Sequence, residues 1–277
     1  MQKNNNINFV FFGTPDVAKE TLQILKEHDF IPSLIVTSPD KPQGRKMILT
    51  SPPAKTWAIE NNISYVQPDK LNKEEFKKNY DLFIVVAYGK IIPKDILEIS
   101  KFGSINIHYS LLPKYRGASP VESAILNDDQ ETGVSIQKME YKMDTGPILS
   151  QKEVFIDPDE TASELRKRLI KIGGELLVKT LPGIISRKIK PIPQKESNAT
   201  YSKKIKKEDG LIDLNDEAIK NYNKFRAYAY WPRTFFFRNG KRVIISESSL
   251  ENGNFTIKKV IPEGKKEISY EEWKKNN

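Results

Sequence analysis

The stretch Asp-Leu-Phe-Ile-Val-Val-Ala at residues 81–87 is an unbroken apolar run opened by a single carboxylate. A strand with one wet face alternates polar and apolar side chains. A run without that alternation belongs in a parallel sheet covered by helices on both faces. The flanking sequence reads the same way. Ile-Asn-Phe-Val-Phe-Phe (7–12) ends at Gly13-Thr14-Pro15-Asp16, which is strand, turn and helix start, and Val17, Leu22 and Leu25 continue with helical spacing. A second strand is expected at 34–37, a Pro- and Lys-rich loop over 38–53, a helix over 54–60, a helix over 91–99 and a strand over 104–107. Strands and helices alternating through 7–107 predict an α/β domain with an open, mostly parallel, Rossmann-like sheet. In such sheets ligands bind beyond the carboxyl ends of the strands.

Farther along, 118–127 suits a helix, 133–139 and 148–156 suit strands, and 162–181 is a long amphipathic helix. The composition then changes. Residues 183–209 are rich in Pro, Lys and Ser and read as a linker. A short helix (216–228) follows, and then a hairpin over 234–246 whose Asn239-Gly240 pair is a strong type I′ signal. One more strand at 254–261 completes a small, mainly β second domain. Only about six residues separate it from the strand near 242–247, so this domain is expected to be short. The predicted division is a main domain over 1–183, a basic linker over 184–209 and the small domain over 210–277.

The chain has 277 residues, no cysteine and two histidines. Disulfides, thiolate nucleophiles and cysteine-ligated zinc are thereby excluded, and a His-rich metal site is not expected. The N-terminal Met1-Gln-Lys-Asn-Asn-Asn lacks a signal-type apolar stretch, and no run of 18 apolar residues occurs, which predicts a cytoplasmic protein with no membrane association. The net charge is +9. Residues 201–277 hold 17 Lys and Arg against 11 Asp and Glu, and 187–207 hold eight basic residues and one acid, Glu196. Charge clustered in this way points to a polyanionic partner.

Chemistry concentrates in Asn-Ile-His-Tyr-Ser-Leu-Leu-Pro-Lys-Tyr-Arg-Gly (106–117) and Asp-Thr-Gly (144–146). Residues i and i+2 of a strand share a face, so Asn106 and His108 point the same way at a strand end. The other histidine, His28, sits in a charged helix-end segment. Asp144 precedes Gly146-Pro147 in a turn between two strands, where a carboxylate can approach the imidazole. Asn as oxyanion donor, His as donor and proton carrier, and Asp to orient His and favour its charged form together suit acyl transfer to an amine. A serine-hydrolase triad on Ser110 is disfavoured, because no G-x-S-x-G elbow exists and the serine lies only two residues from its own base. Gly13-Thr14-Pro15 carries a single glycine and is not a dinucleotide fingerprint.

The chain resembles the methionyl-tRNA formyltransferases of the folate-dependent formyltransferase superfamily. The matching segments are Phe-Phe-Gly-Thr-Pro-Asp (11–16), Ser-Pro-Asp-Lys-Pro-Gln-Gly-Arg (38–45), Val-Val-Ala-Tyr-Gly-Lys-Ile-Ile-Pro (85–93), the 106–120 string, Glu-Thr-Gly-Val-Ser-Ile (131–136), Met-Asp-Thr-Gly-Pro-Ile-Leu (143–149) and Glu-Gly-Lys-Lys-Glu-Ile-Ser (263–269). The resemblance implies a formyltransferase fold with a small OB-like β domain. It implies Asn106, His108 and Asp144 as catalytic residues and 10-formyltetrahydrofolate as donor co-substrate, with no metal. Tyr88, Gly89, Ile91 and Ile92 would wall the pteridine pocket, and Ser110, Leu111, Leu112 and Pro113 would line the rest of the folate site. Lys41, Arg45 and Lys46, on a proline-stiffened loop, would reach initiator methionyl-tRNA, as would Lys203, Lys204, Lys206 and Lys207. A monomer acting in translation initiation is implied. The rival on the same scaffold is formylation of an amino sugar nucleotide, which needs the catalytic trio but not the cationic segments. Tyr109 stands where the family usually has a small residue or Pro, so an altered pocket wall is expected there.

Overall fold

The computed structural model describes residues 7–44, 46–76 and 79–276. In chain order its elements are β1 (Phe9–Gly13), α1 (Asp16–Glu27), β2 (Leu34–Val36), β3 (Lys41–Gln43), β4 (Ile48–Thr50), α2 (Pro53–Glu60), β5 (Tyr65–Val66), β6 (Leu82–Val86), α3 (Lys94–Leu97) and β7 (Ser104–His108). They continue with β8 (Arg116–Gly117), α4 (Pro120–Leu126), β9 (Glu131–Lys138), β10 (Ile148–Phe155), α5 (Ala162–Ile185), β11 (Tyr201–Ser202) and α6 (Ala218–Ala227). The chain ends with β12 (Phe235–Arg238), β13 (Lys241–Glu251), β14 (Asn254–Pro262), β15 (Ile268–Ser269) and α7 (Tyr270–Lys275).

Two compact units result. The first comprises residues 1–116, 133–153 and 168–199, and the second comprises 117–132, 154–167 and 200–277. The expected linker is therefore divided, with its residues up to 199 packed as part of the first unit. Ile192 pairs with Ile148 of β10 through reciprocal backbone hydrogen bonds of 2.8 Å, which is why the segment does not behave as a tether.

The first unit is built on a seven-stranded sheet in the order β10-β9-β7-β6-β1-β2-β5. The pairs β5/β2, β2/β1, β1/β6 and β6/β7 are parallel, whereas β7/β9 is antiparallel. All five residues of β1 and of β6 are buried, as the absence of alternation requires. On one face Val10, Phe12, Phe83 and Val85 join Phe76, Tyr80 and Tyr88 in an aromatic-rich cluster. Phe12 makes ring contacts with Phe76, Phe83 and Tyr88 at centroid distances of 5.2–5.7 Å. On α5, Gly173 lies against Ile107, Val134 and Tyr109, and Gly174 against Ile24 of α1; an added Cβ at Gly174 would come within 2.6 Å of Ile24.

Two local expectations change. The segment 38–53 is not a plain loop, because β3 and β4 pair antiparallel as a hairpin. The helix expected over 91–99 shrinks to the single turn of α3, since Pro93 takes the N-cap position and leaves Ile91 and Ile92 ahead of it.

In the second unit β12, β13, β14 and β15 form a four-stranded antiparallel sheet in sequence order. Ile212, Phe236, Val243, Ile245, Val260 and Trp273 make its core. Asn239 and Gly240 both have positive φ (49° and 72°), as a type I′ turn demands. The strand of 242–247 runs on to Glu251, and a second turn, Asn252-Gly253, also at positive φ, brings in β14. The sheet has fewer strands than a five-stranded OB barrel, as its short span led one to expect.

Candidate active site

Asn106 and His108 occupy the last half of β7, at the carboxyl ends of the parallel strands. The antiparallel partner β9 brings Gln137 opposite Asn106 and Ser135 opposite His108. Asn106 Nδ2 donates to the Val85 carbonyl on β6 at 3.1 Å, which uses one of its two N–H groups.

His108 is only 6% exposed. Its Nε2 lies 2.9 Å from the Tyr115 carbonyl, so Nε2 carries the proton and donates, since a carbonyl can only accept. Tyr115 reaches back in this way because the segment after His108 turns sharply, with Tyr115 itself at φ 57°. The remaining nitrogen, Nδ1, faces Asp144 Oδ2 at 3.7 Å. That separation is too long for a direct hydrogen bond but short enough for strong electrostatic influence on an imidazolium.

Asp144 sits in the β9–β10 turn at φ 53°, a left-handed conformation uncommon for a residue with a side chain. Three things hold the turn. Gly146 lies so close to the Lys138 carbonyl that any Cβ there would overlap it. Gln194 Nε2 donates to the carbonyls of Asp144 (2.9 Å) and Gly146 (2.7 Å). The Gln194 Oε1 in turn accepts from Arg116 Nε at 3.0 Å, and Arg116 Nη1 pairs with Glu196 at 2.8 Å. Arg116 is 1% exposed, so its charge is compensated by these partners.

The loop after His108 is fastened by Ser135. Its hydroxyl donates to the Ser110 carbonyl (2.6 Å) and accepts from the Leu112 N–H (3.0 Å) and from Gln151 Nε2 (2.9 Å). Gln151 also donates to the Leu112 carbonyl. Ser110 Oγ donates to the Lys114 carbonyl at 2.6 Å, which removes it as a nucleophile for the neighbouring histidine.

The expected folate residues divide by burial. Ser110, Leu112, Tyr88 and Ile92 are buried, and the Tyr88 ring belongs to the aromatic cluster against Phe12. Burial pushes the Tyr88 phenol up to about 12. Leu111 packs against Gly133. By contrast Ile91 is 81% exposed, Gly89 has open space around its Cα at φ 79°, and Pro113 is half-buried. Side-chain contact with a ligand is thus open to Ile91 and Pro113, and backbone contact to Gly89 and to the buried four. Tyr109 points to the opposite face from Asn106 and His108, where its ring meets Gly173 of α5. Ile107 of β7 meets the same glycine.

Lys41 and Lys46 are exposed on the β3–β4 hairpin, next to exposed Met47, Ile48 and Leu49; Arg45 lies outside the described residues. The base of the hairpin is tied down by Asp40, which accepts from Lys55 (2.7 and 2.9 Å), Gln67 (2.7 Å) and Ser51 (3.1 Å). The Lys55 ammonium, followed by Gln67, holds the Asp40 carboxyl below its usual range. Lys203, Lys204, Lys206 and Lys207 are exposed in the second unit. Among the described residues no cluster of three or more His, Cys, Asp or Glu is arranged to hold a metal ion, and no helix is long and apolar enough to cross a membrane.

Gln137, Gln194 and Arg116 are site residues to which the sequence alone attached no role. The cross-strand register of β7 and β9 is the signal that finds Gln137. Gln194 lies in a segment whose composition reads as linker, and only its long-range contact reveals it.

Comparison with known proteins agrees with this geometry. Residues 5–181 match the family described as formyl transferase, and residues 204–258 match the formyl transferase C-terminal domain. A methionyl-tRNA formyltransferase from Caldicellulosiruptor saccharolyticus is 43% identical over 251 residues, covering 88% of this chain and 80% of that protein. One from Dictyoglomus turgidum is 42% identical over 255 residues, covering 90% and 81%. Among solved structures, WlaRD, a sugar 3N-formyl transferase crystallised with dTDP and 5-N-formyl-THF, superposes with a TM-score of 0.68 at 27% identity, covering 89% of this chain and 87% of that one. A methionyl-tRNA formyltransferase from Clostridium thermocellum has the same fold, with a TM-score of 0.63 at 20% identity over 92% of this chain and 98% of that one. With one family match spanning residues 5–181 and relatives above 40% identity over most of its length, this chain belongs to the methionyl-tRNA formyltransferase family of formyl transferases.

Proposed function

We propose that the protein transfers the formyl group of 10-formyltetrahydrofolate to the α-amine of initiator methionyl-tRNA, as a cytoplasmic monomer in translation initiation. The observation that carries the chemistry is the convergence of the Asn106 amide, the His108 imidazole and the Asp144 carboxylate at one strand end. The identity of the acceptor rests on the relatives of 42–43% identity, all named for methionyl-tRNA.

The neutral amine attacks the formyl carbon, forming a C–N bond and placing negative charge on the formyl oxygen. The second N–H of Asn106 and the Nδ1–H of His108 stabilise that oxygen. Asp144, whose Oδ2 lies 3.7 Å from Nδ1, places its carboxylate beside the ring as charge develops on the formyl oxygen. Collapse breaks the bond from the formyl carbon to N10 of the folate, and one proton lost by the amine ends on N10. No covalent enzyme intermediate and no metal enter the scheme.

A second reading has support of its own, because the sugar 3N-formyl transferase superposes well on this chain. Against it stand the higher identity of the methionyl-tRNA relatives and the exposed cations at Lys41, Lys46 and 203–207. A single assay separates the two. Purified protein with 10-formyltetrahydrofolate should formylate initiator Met-tRNA faster than elongator Met-tRNA and leave a dTDP-linked amino sugar unmodified. Turnover on the amino sugar alone would overturn the proposal.

A further inference from the structure

We infer that Gln137 is a positioning residue for formyl transfer, orienting the Asn106 amide and the Asp144 carboxylate at once. The inference rests on the reaction proposed above. Gln137 stands directly across from Asn106 in the β7/β9 ladder. The residue is 2% exposed. Nε2 donates to Asp144 Oδ1 at 2.9 Å and approaches Asn106 Oδ1 at 3.4 Å.

Each contact has a consequence for the chemistry. Gln137 occupies Oδ1 of Asp144, which turns Oδ2 toward His108 Nδ1. Gln137 also faces the oxygen of the Asn106 amide, while the Val85 carbonyl takes one Asn106 N–H. A flipped Asn106 amide would set its oxygen against the Val85 carbonyl and its NH₂ against the Gln137 NH₂. Both contacts would be repulsive. Gln137 and Val85 therefore fix which end of Asn106 is the donor, and a donor is what a developing oxyanion needs.

The far end of the side chain argues for the same role. Gln137 Oε1 is buried and has no hydrogen-bond partner among the described residues. Buried polar groups normally find partners, and an unsatisfied one weakens the fold. A glutamine here makes physical sense through its NH₂ group. A glutamate would not serve, since it would offer only acceptors and place a second negative charge beside Asp144.

The test uses the full chain and two variants of nearly equal volume, Gln137→Met and Gln137→Glu. Thermal melts check folding, and kcat and KM are measured for both 10-formyltetrahydrofolate and Met-tRNA. Gln137→Met should lower kcat by about tenfold and Gln137→Glu by about 100-fold, the scale of losing orientation at a reacting centre. Both KM values should change by no more than about twofold, since no group that touches substrate is removed. A role confined to packing would lower the melting temperature and leave kcat intact. The inference is overturned if Gln137→Met keeps kcat within about twofold of the parent, if the loss falls on KM, or if Gln137→Glu is no worse than Gln137→Met. If one variant fails to melt cooperatively, the other decides by the same kcat threshold. A parent protein that does not formylate Met-tRNA overturns the reaction itself. An active parent with indifferent variants overturns only the role of Gln137.

Discussion

Gln194→Leu tests whether the segment before residue 199 belongs to the active site. The parent side chain makes three hydrogen bonds, donating to the carbonyls of Asp144 and Gly146 and accepting from Arg116 Nε. Leucine fills a similar volume and makes none of them. The substitution removes one acceptor from the buried Arg116 and the donor shared by two turn carbonyls. Together these should cost about 2–4 kcal/mol of stability. At roughly 2–4 °C per kcal/mol for a protein of this size, the melting temperature should fall by about 5–15 °C. Catalysis should suffer separately. Asp144 is held at φ 53°, a conformation that disfavours residues with a Cβ by about 1–2 kcal/mol. Removing two neutral hydrogen bonds worth about 1 kcal/mol each shifts the turn away from that conformation by up to ~30-fold. The assay is kcat for Met-tRNA at saturating folate, measured well below the melting temperature of the variant. The expected result is a kcat loss of ~10–30-fold with the folate KM unchanged. A variant that melts like the parent and turns over at the parental rate would show that residues 191–196 do not dock on this turn in solution, and the reasoning would fail.

Three further outcomes follow from the same geometry. Asn106→Ala should reduce kcat by about 10²–10³ and His108→Ala by roughly 10²–10⁴, with the folate KM preserved in each; near-parental turnover of His108→Ala would remove the site from consideration. Tyr88→Phe removes a buried hydroxyl that has no partner among the described residues, and should be neutral or stabilise the protein by ~1 kcal/mol while sparing the folate KM. The Tyr88 phenol, raised to about 12 in the fold, should also make stability fall as pH climbs from its ordinary 10 toward 12, because the unfolded chain loses that proton first; the variant should show a shallower alkaline decline in denaturant titrations. Replacing Lys41 and Lys46 by Ala should weaken tRNA binding and flatten log Kd against log salt by about 0.7–0.9 for each phosphate no longer neutralised, and unchanged slopes would take the hairpin out of tRNA recognition.

What the sequence discloses and what it hides follow from the range of the interactions. Asn106 and His108 are legible because a two-residue spacing on a strand fixes their common face locally, and Asp144 because Gly146-Pro147 marks its turn. The buried strands β1 and β6 are legible for the same local reason, an apolar run without alternation. Gln137 and Gln194 carry no such mark. Gln137 matters through the antiparallel register of β7 with β9, and Gln194 through hydrogen bonds to residues 48 and 50 positions earlier. Composition misleads at 184–199, where Pro and Lys suggest a tether while Ile192 and Gln194 bond to the backbone of the catalytic unit. It misleads again at Ser246–Glu251, a polar stretch that continues β13 because its ladder partners on β14 satisfy the backbone whatever the side chains are. The hairpin at 41–50 escapes notice because β3 contains Pro42 and lies far from any core, so no periodicity announces it. In each of these cases hydrogen bonds decide the structure, and hydrophobic periodicity has no means of reporting them. The residues that do the proposed chemistry are therefore readable from local pattern, whereas those that hold them in place become visible only when strands have been paired.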